Sequence, residues 1–477
     1  MKIRTRFAPS PTGYLHIGGL RTAAYSYAFA KNKKGDFILR IEDTDRNRFV
    51  AGSTEKIYEI LKIFGLNWDE GPLVGGKYKP YIQSERVKTG IYKKYADKLV
   101  ADGHAYYCFH PAESKEVIKE SHAKKEIKLR DSCRDLTLAE VQTKINTGET
   151  PAVRLRLPEN KVVHYFDFVK NKEITWNTDH LDEVMLLKSD GYPTYHLAVT
   201  VDDCLMEITH ILRAHEWLPS TPIHILLWEY LGFKSPNIGH LTAILDPSGG
   251  KLSKRKHNVS CEQFLADGYL PEALLNFVIL LGWAPIDNRE LFTLAEFVEY
   301  FDKGHLQVSN PVFNDKKLNW LNGLYIRQKS SEELFKLLKP FAPKSMDDSL
   351  IKKTIPLVKE RMIKLSDYLS LVNYLVEDFE LDIELITQKG GGDKNLIKTQ
   401  FSEVLEPLQK LGEWKLENLD NIFHQLVEKN NWHLGKFFMA TRVAITGKAI
   451  TPPLFEIMEL LGKEKTITRI KKALEMV

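Results

Sequence analysis

The chain has 477 residues, of which 43% are hydrophobic, 27% charged and 10% aromatic, which excludes disordered and fibrous classes and, at this length, a single core. Its 67 basic and 63 acidic residues leave a net charge of only +4, so a nucleic-acid surface must come from local segregation of charge. Four cysteines are too few for a disulfide framework, no apolar run is long enough to span a bilayer, and the basic N-terminus lacks the apolar segment of a secretory signal; a cytoplasmic protein is expected.

The run from Ile3 to Ala8 reads as a strand that breaks into Pro9-Ser10-Pro11-Thr12-Gly13. Leu20, Ala23, Ala24, Tyr27 and Ala28 then repeat at helical spacing as far as Asn32, and Phe37 to Ile41 is β-like before the acidic cluster Glu42-Asp43-Thr44-Asp45. Strand, glycine-containing loop, helix, strand is the opening of a parallel α/β nucleotide-binding fold. His16-Ile17-Gly18-Gly19 sits where the strand hands over to the helix, so backbone amides and the helix dipole can receive phosphate charge. The glycines allow close approach, and His16 can bond phosphate oxygens of a departing pyrophosphate. Taken alone the motif also reads as a surface turn. No Walker loop is present, since Gly250-Lys251 is followed by Leu252 and Gly447-Lys448 by Ala449, and the dinucleotide glycine pattern is missing.

From about Lys98 to Leu187 the character changes, and the stretch reads as an insertion. Cys108-Phe109-His110 and Cys133-Arg134-Asp135 form two ligand-x-ligand pairs separated by 22 residues, a framework for a tetrahedral structural zinc. His104 and His122 rival Asp135 as fourth ligand, and two unconnected thiols in a metal-free insertion is the alternative. Cys204 and Cys261 have no partner spacing. Short β-like pieces follow, such as Val153 to Leu157, and the α/β pattern resumes around Met185 to Leu187 and Thr194 to Val201, continuing through a helix-like run from Thr221 to Leu231. Two halves of one fold thus flank the insertion. Beyond Asp246 to Gly250, the segment Lys251-Leu252-Ser253-Lys254-Arg255-Lys256 concentrates positive charge on a glycine-rich loop, suited to closing on the charge of a leaving pyrophosphate. A solvated basic loop is the ordinary alternative. After Leu270 helical periodicity dominates to Val477, with Gly390-Gly391-Gly392 as an expected interdomain joint.

As an ordered pair, Pro9 to Gly19 and Lys251 to Arg255 resemble the two ATP-binding signatures of class I aminoacyl-tRNA synthetases. The flanking segments Thr5 to Gly13, Arg40 to Arg46, Ser189 to Leu197 and Ile211 to Trp217 are similar to glutamyl-tRNA synthetases of the bacterial type throughout the catalytic half. The resemblance implies a Rossmann-like class I catalytic domain split by an acceptor-binding insertion and followed by an all-α anticodon-binding region. On that reading residues 1–97 and 188–240 are the catalytic halves, 98–187 the insertion, 241–322 a stem-contact region carrying the basic loop, and 323–477 the anticodon region, as one or two subdomains. It also argues against a glutaminyl-type enzyme with β-barrels there, and against the shortened glutamyl-queuosine paralogue.

The implied reaction joins L-glutamate to the glutamate tRNA through a glutamyl adenylate, using ATP with Mg2+ and releasing AMP and pyrophosphate. Arg6 and Arg213 match the cations that meet glutamate carboxylates, an assignment suited to the guanidinium fork, although both could instead be partners of buried acids. Ser10, Glu42 and Tyr195 match the remaining amino-acid contacts, with Glu42 toward the α-ammonium group. Ala8, Pro9, His16, Gly18, Gly19, Glu216, Trp217, Lys251, Leu252, Ser253, Lys254 and Arg255 match the ATP site; His16, Lys251 and Lys254 carry the catalytic assignment. Arg46 and Arg48 are candidate tRNA phosphate contacts. The zinc set would be Cys108, His110, Cys133 and Asp135. One departure stands out: Val199 occupies a position where many members carry Asn, so an amide contact to substrate is missing unless Thr200 supplies a substitute. The glutamine tRNA stays open as a second partner, and a monomer is expected. A small-molecule nucleotidyltransferase and a non-catalytic RNA-binding paralogue are the rival readings, disfavoured by the long helical extension and by the intact His16, Lys251 and Lys254.

Overall fold

The first strand, β1 (Arg4–Phe7), is buried along its whole length although half of it is arginine, because each arginine finds a carboxylate inside the fold. A computed structural model describes residues 2–110, 131–252 and 259–477, and these form two units, one of residues 1–265 and 271–315, the other of 266–270 and 316–477. In the first unit α1 (Ile17–Asn32) returns the chain so that β2 (Asp36–Leu39) pairs parallel with β1, Arg4 opposite Asp36. In α1 the small residues Ala23, Ala24 and Ala28 are fully buried beside the larger Leu20 and Tyr25.

The insertion begins with β3 (Ala105–Cys108), which pairs antiparallel with β4 (Ala152–Leu155); β4 in turn pairs antiparallel with β7 (Met185–Leu187). Between them β5 (Val162–Asp167) and β6 (Lys172–Asn177) form a hairpin. The hairpin lies inside the stretch read from sequence as insertion, yet β5 joins the parallel strands of the catalytic fold, Asp167 opposite Ile238. Those strands are β8 (His210–Ala214) and β9 (Asn237–Leu241), paired parallel with Arg213 opposite His240 and connected by the helix Thr221–Leu231. β8 follows Thr209, whose amide donates to the Arg4 carbonyl at 2.9 Å, tying the second half of the fold to β1.

The two halves are also joined by buried charge. The helix Tyr195–Leu205 carries Asp202 and Asp203 in its last turn, both fully buried. Asp203 accepts from Arg40 at 2.7 Å and from Nε and Nη2 of Arg6 at 3.2 Å; Arg40 also donates to Glu42 at 2.8 Å. Asp202 accepts from Arg86 at 2.7 Å, Gln83 at 2.9 Å and the Tyr92 hydroxyl at 2.8 Å. Arg6, Arg40 and Arg86 thus face Glu42, Asp202 and Asp203 with charge in balance, which is what burial of ions demands.

All regular elements of the second unit are helical, from Asp315–Gln328 to Lys463–Met476. Local signals set their ends, as where Ser330 and Glu333 form a reciprocal capping box. Gly390-Gly391-Gly392 is not the interdomain joint expected of it. It makes the turn between the helices Ile383–Lys389 and Lys394–Lys410, with Gly391 and Gly392 at positive φ and Asp393 capping the second helix. No helix among the described residues is long and apolar enough to cross a membrane.

Candidate functional site

The β1-to-α1 loop forms one wall of a cavity of about 660 Å³ in the first unit, ample for a nucleotide with an amino acid. His16 is the N-cap of α1, its Nδ1 accepting from the Gly19 amide at 3.1 Å, which leaves an exposed imidazole at the helix start. A Cβ at Gly18 would lie 3.0 Å from the His16 ring, and one at Gly19 would lie 2.7 Å from the Leu15 side chain. A side chain at either position would therefore press on the His16 ring or displace the Leu15 side chain.

Of the residues singled out from sequence, Arg6, Ala8, Pro9, Ser10, His16, Gly18 and Gly19 line the cavity from the first half of the fold, together with Glu42 and Arg48. Tyr195, Glu216, Trp217, Lys251 and Leu252 line it from the second half. Glu216 and Lys251 are joined by a direct ion pair that links the segment after β8 to the start of the basic loop. Trp217 lies 4.2 Å, centroid to centroid, from the ring of Tyr195. Ser253, Lys254 and Arg255 lie outside the described residues. Arg46 is exposed, with its guanidinium 5.4 Å from the Tyr192 ring, and is not on the cavity wall; Arg48 bonds Asp45 at 2.6 Å.

The two candidate glutamate-binding arginines differ in their partners. Arg6 faces the cavity while two of its nitrogens engage Asp203, so the buried-acid alternative and the cavity position both hold for it. Arg213 is 4% exposed, sits behind Tyr195 rather than on the wall, and has no carboxylate partner among the described residues. It donates to His240 Nε2 at 3.0 Å, His224 Nδ1 at 3.0 Å, Thr221 Oγ1 at 2.7 Å and the Tyr195 hydroxyl at 3.5 Å. Burial pulls the Arg213 pKa below its ordinary value, the sign of a cation whose neighbours do not repay desolvation. Burial likewise raises Glu42, against the opposing pull of Arg40 and Arg6. It raises the Tyr195 phenol as well.

Val199 is buried in the helix Tyr195–Leu205 and does not reach the cavity. Thr200 offers no substitute, because its hydroxyl is spent on the His196 carbonyl at 2.6 Å. Asp203, Thr221, His224 and His240 were not identified from sequence. A pair of acids inside an apolar-periodic helix was the one readable signal, at Asp202-Asp203.

In the insertion, Cys108, His110, Asp131 and Cys133 place one ligand atom each within 4.8 Å of one another. Asp131, rather than Asp135, completes this cluster. Asp131 caps the short 3-10 helix Ser132–Asp135, its carboxylate accepting from the Cys133 amide at 2.8 Å, and this turns it inward; Asp135, at the far end of the same turn, stays outside the cluster. His104 is instead stacked on Tyr230 at 3.9 Å, and His122 lies outside the described residues. Cys133 Sγ is 3.6 Å from His110 Nδ1, and Cys108 Sγ is 3.2 Å from Asp131. Those separations match the edges of a tetrahedron with metal–ligand bonds of about 2.0–2.3 Å.

Comparison with known proteins matches residues 2–320 to the catalytic domain of class I tRNA synthetases (E and Q), and residues 333–474 to an anticodon binding domain. A glutamate–tRNA ligase of Borreliella afzelii is 40% identical over 100% of the chain and 99% of that protein. One from Finegoldia magna is 39% identical over 99% of both. The crystal structure of a glutamate tRNA ligase from Elizabethkingia meningosepticum in complex with its amino acid superposes with a TM-score of 0.87 at 35% identity, covering 100% of the chain and 99% of its counterpart.

Proposed function

The chain belongs to the glutamate–tRNA ligase family of class I aminoacyl-tRNA synthetases, attaching glutamate to tRNA at the expense of ATP, and on that premise we propose how its own residues perform the two steps. In the first, the glutamate α-carboxylate attacks the α-phosphate of magnesium-bound ATP, giving glutamyl adenylate and pyrophosphate. In the second, a ribose hydroxyl of the terminal adenosine of the tRNA takes the glutamyl group and AMP leaves. No side chain forms a covalent bond; positioning and charge stabilisation do the work.

The observation that carries this reading is Arg213, a buried cation whose partners are all neutral. Such a site favours an anionic ligand, and a carboxylate reaching Arg213 past the Tyr195 hydroxyl would complete the charge balance that the neighbouring arginines already have. Arg6 receives the second carboxylate, Ser10 and Tyr195 orient the substrate, and Glu42 accepts from the ammonium group. His16 at the head of α1, with Lys251 and Lys254, stabilises the charge that develops on the leaving pyrophosphate. Ala8, Pro9, Gly18, Gly19, Glu216, Trp217, Leu252, Ser253 and Arg255 hold the nucleotide. Arg46 and Arg48 meet tRNA phosphates. The donor set Cys108, His110, Asp131 and Cys133 suits a structural Zn2+, which when bound would lock the turn after β3.

The deciding assay is AMP formation with glutamate or glutamine as substrate, with the glutamate tRNA, with the glutamine tRNA, and with no tRNA. Glutamate- and tRNA-dependent AMP release is expected; equal turnover of glutamine overturns the reading of Arg213. Product with the glutamine tRNA decides whether the enzyme charges both.

A further inference from the structure

Three adjacent strands carry Asp167, His240 and Arg213 in an unbroken hydrogen-bonded line. Asp167 ends β5, His240 is on β9, and Arg213 lies opposite it on β8. The Asp167 carboxylate is 2.8 Å from His240 Nδ1, and His240 Nε2 is 3.0 Å from Arg213 Nε. Asp167 and His240 are fully buried.

Arginine has no acceptor, so the bond between Arg213 and His240 fixes the imidazole: Nε2 must offer its lone pair and Nδ1 must carry the proton. An ionised Asp167 accepts that proton, and the Tyr165 hydroxyl, 2.8 Å from the same nitrogen, donates to the Asp167 carboxylate at 3.0 Å. The same logic fixes the opposite flank. His224 Nδ1 accepts from Arg213, so its Nε2 carries the proton toward His196 Nδ1, 3.3 Å away. The guanidinium is therefore gripped by two neutral imidazoles in defined tautomers and by Thr221. Neither imidazole neutralises it.

From this arrangement we propose that Asp167 and His240 are positioning residues for glutamate recognition, holding the Arg213 guanidinium in one orientation while leaving its charge for the substrate carboxylate. A carboxylate in van der Waals contact with Arg213 would anchor it equally well, but would also draw on its charge, as Asp203 does through two of the three Arg6 nitrogens. Interposing a neutral ring puts the anchoring anion one residue further away. Burial depresses His240 to a pKa of about 4, in keeping with a neutral ring at physiological pH, although the bond to Asp167 pulls the other way. The hairpin β5–β6, inside the segment read as insertion, thereby supplies part of the amino-acid site.

The proposal rests on the reading that Arg213 meets a glutamate carboxylate, and the test separates the two. Steady-state aminoacylation is measured for Arg213→Lys, His240→Gln, His240→Leu and Asp167→Asn, varying glutamate and ATP separately, with melting curves for each. His240→Gln keeps an acceptor for Arg213 and a donor for Asp167 and should retain glutamate kcat/KM within a few-fold. His240→Leu should lose roughly ten- to a hundredfold, the worth of one hydrogen bond to a charged group, in the glutamate KM, with the ATP KM unmoved. Asp167→Asn should fall with the leucine variant, since its amide can reverse the tautomer. Asp167 also accepts from the backbone amides of Val169 and Lys170, so the His240 pair decides the matter if that variant melts early. If Arg213→Lys leaves glutamate KM unchanged, the reading of Arg213 fails. If Arg213→Lys raises it but His240→Leu matches His240→Gln, the positioning role fails.

Discussion

Replacing Arg213 and Arg6 in turn by methionine separates recognition from structure. Both guanidinium groups are buried, but Arg6 holds Asp203 at 3.2 Å whereas Arg213 ends only on neutral acceptors. A guanidinium about 4 Å from a carboxylate is worth roughly 4 kcal/mol at an effective dielectric of about 20, which is about a thousandfold in kcat/KM for glutamate. Glutamine loses a hydrogen bond from a charged donor to a neutral acceptor, about 2 kcal/mol, so Arg213→Met should cut the preference for glutamate over glutamine by about thirtyfold. Its stability should change little, because losing a cation that burial already disfavours offsets the one acceptor, His224 Nδ1, left without its donor; His240 Nε2 retains the Thr221 hydroxyl at 3.2 Å. Arg6→Met, by contrast, leaves a buried cluster with one negative charge in excess. Breaking such a pair costs about 3–5 kcal/mol, and the first melting transition should fall by roughly 5–10 °C. The assays are charging with each amino acid and scanning calorimetry. Equal losses on glutamate and glutamine, or an Arg213→Met protein that melts as early as Arg6→Met, would refute the charge argument.

Four further outcomes are expected. His16→Asn should keep the helix cap and melt like the parent while turnover falls, whereas His16→Ala should lose about 1 kcal/mol of stability as well; full turnover in the asparagine variant removes His16 from the chemistry. Lys251→Ala should lower kcat by about a hundredfold or more with melting unchanged, since the exposed pair with Glu216 contributes at most about 1 kcal/mol to folding; a variant of normal kcat contradicts the role of Lys251. Elemental analysis should find one zinc per chain, lost in Cys133→Ser and Asp131→Asn but kept in Asp135→Asn; retention in Asp131→Asn returns the fourth position to another residue. Finally, His240 has a folded pKa of about 4, below its unfolded value, so its contribution is complete above about pH 6.5 and is lost as pH falls toward 4. One such group is worth about 3 kcal/mol across that window, and His240→Gln should flatten the fall in melting temperature measurably; an unchanged slope means that the ring is not held neutral.

What could be read from the sequence was whatever local pattern governs. The turn at His16-Ile17-Gly18-Gly19 announces itself because glycine placement and helix start are local, and the helix Thr221–Leu231 falls where its periodicity puts it. Cys108 and Cys133 were legible as a spaced pair. Asp131 was not, because its inward turn depends on a backbone amide two residues on, and ligand-x-ligand spacing favoured Asp135. The hairpin β5–β6 reads as part of the insertion because chain order says nothing of which sheet a strand joins; only its pairing with β9 brings Asp167 to His240. His240 and His224 were not legible either, because it is sheet register and the packing of one helix, not motif spacing, that bring them to Arg213.

The arginines of the first unit also show why residue type alone could not separate recognition from architecture. Arg4 ends on Asp36 and Glu70, Arg40 on Glu42 and Asp203, and Arg86 on Asp202, each neutralised where it lies. Arg21, although on the cavity wall and buried, donates to the main-chain carbonyls of Leu281 and Thr242 and so pins α1 to later segments of the chain. Arg213 alone among these five is held only by side chains that are neutral and that hold their own partners. A structural arginine is best served by the strongest acceptor at hand. One that must prefer a carboxylate to an amide is best served by acceptors that orient it and leave its charge unspent, and imidazole in a fixed tautomer, backed by an aspartate one bond away, meets both demands.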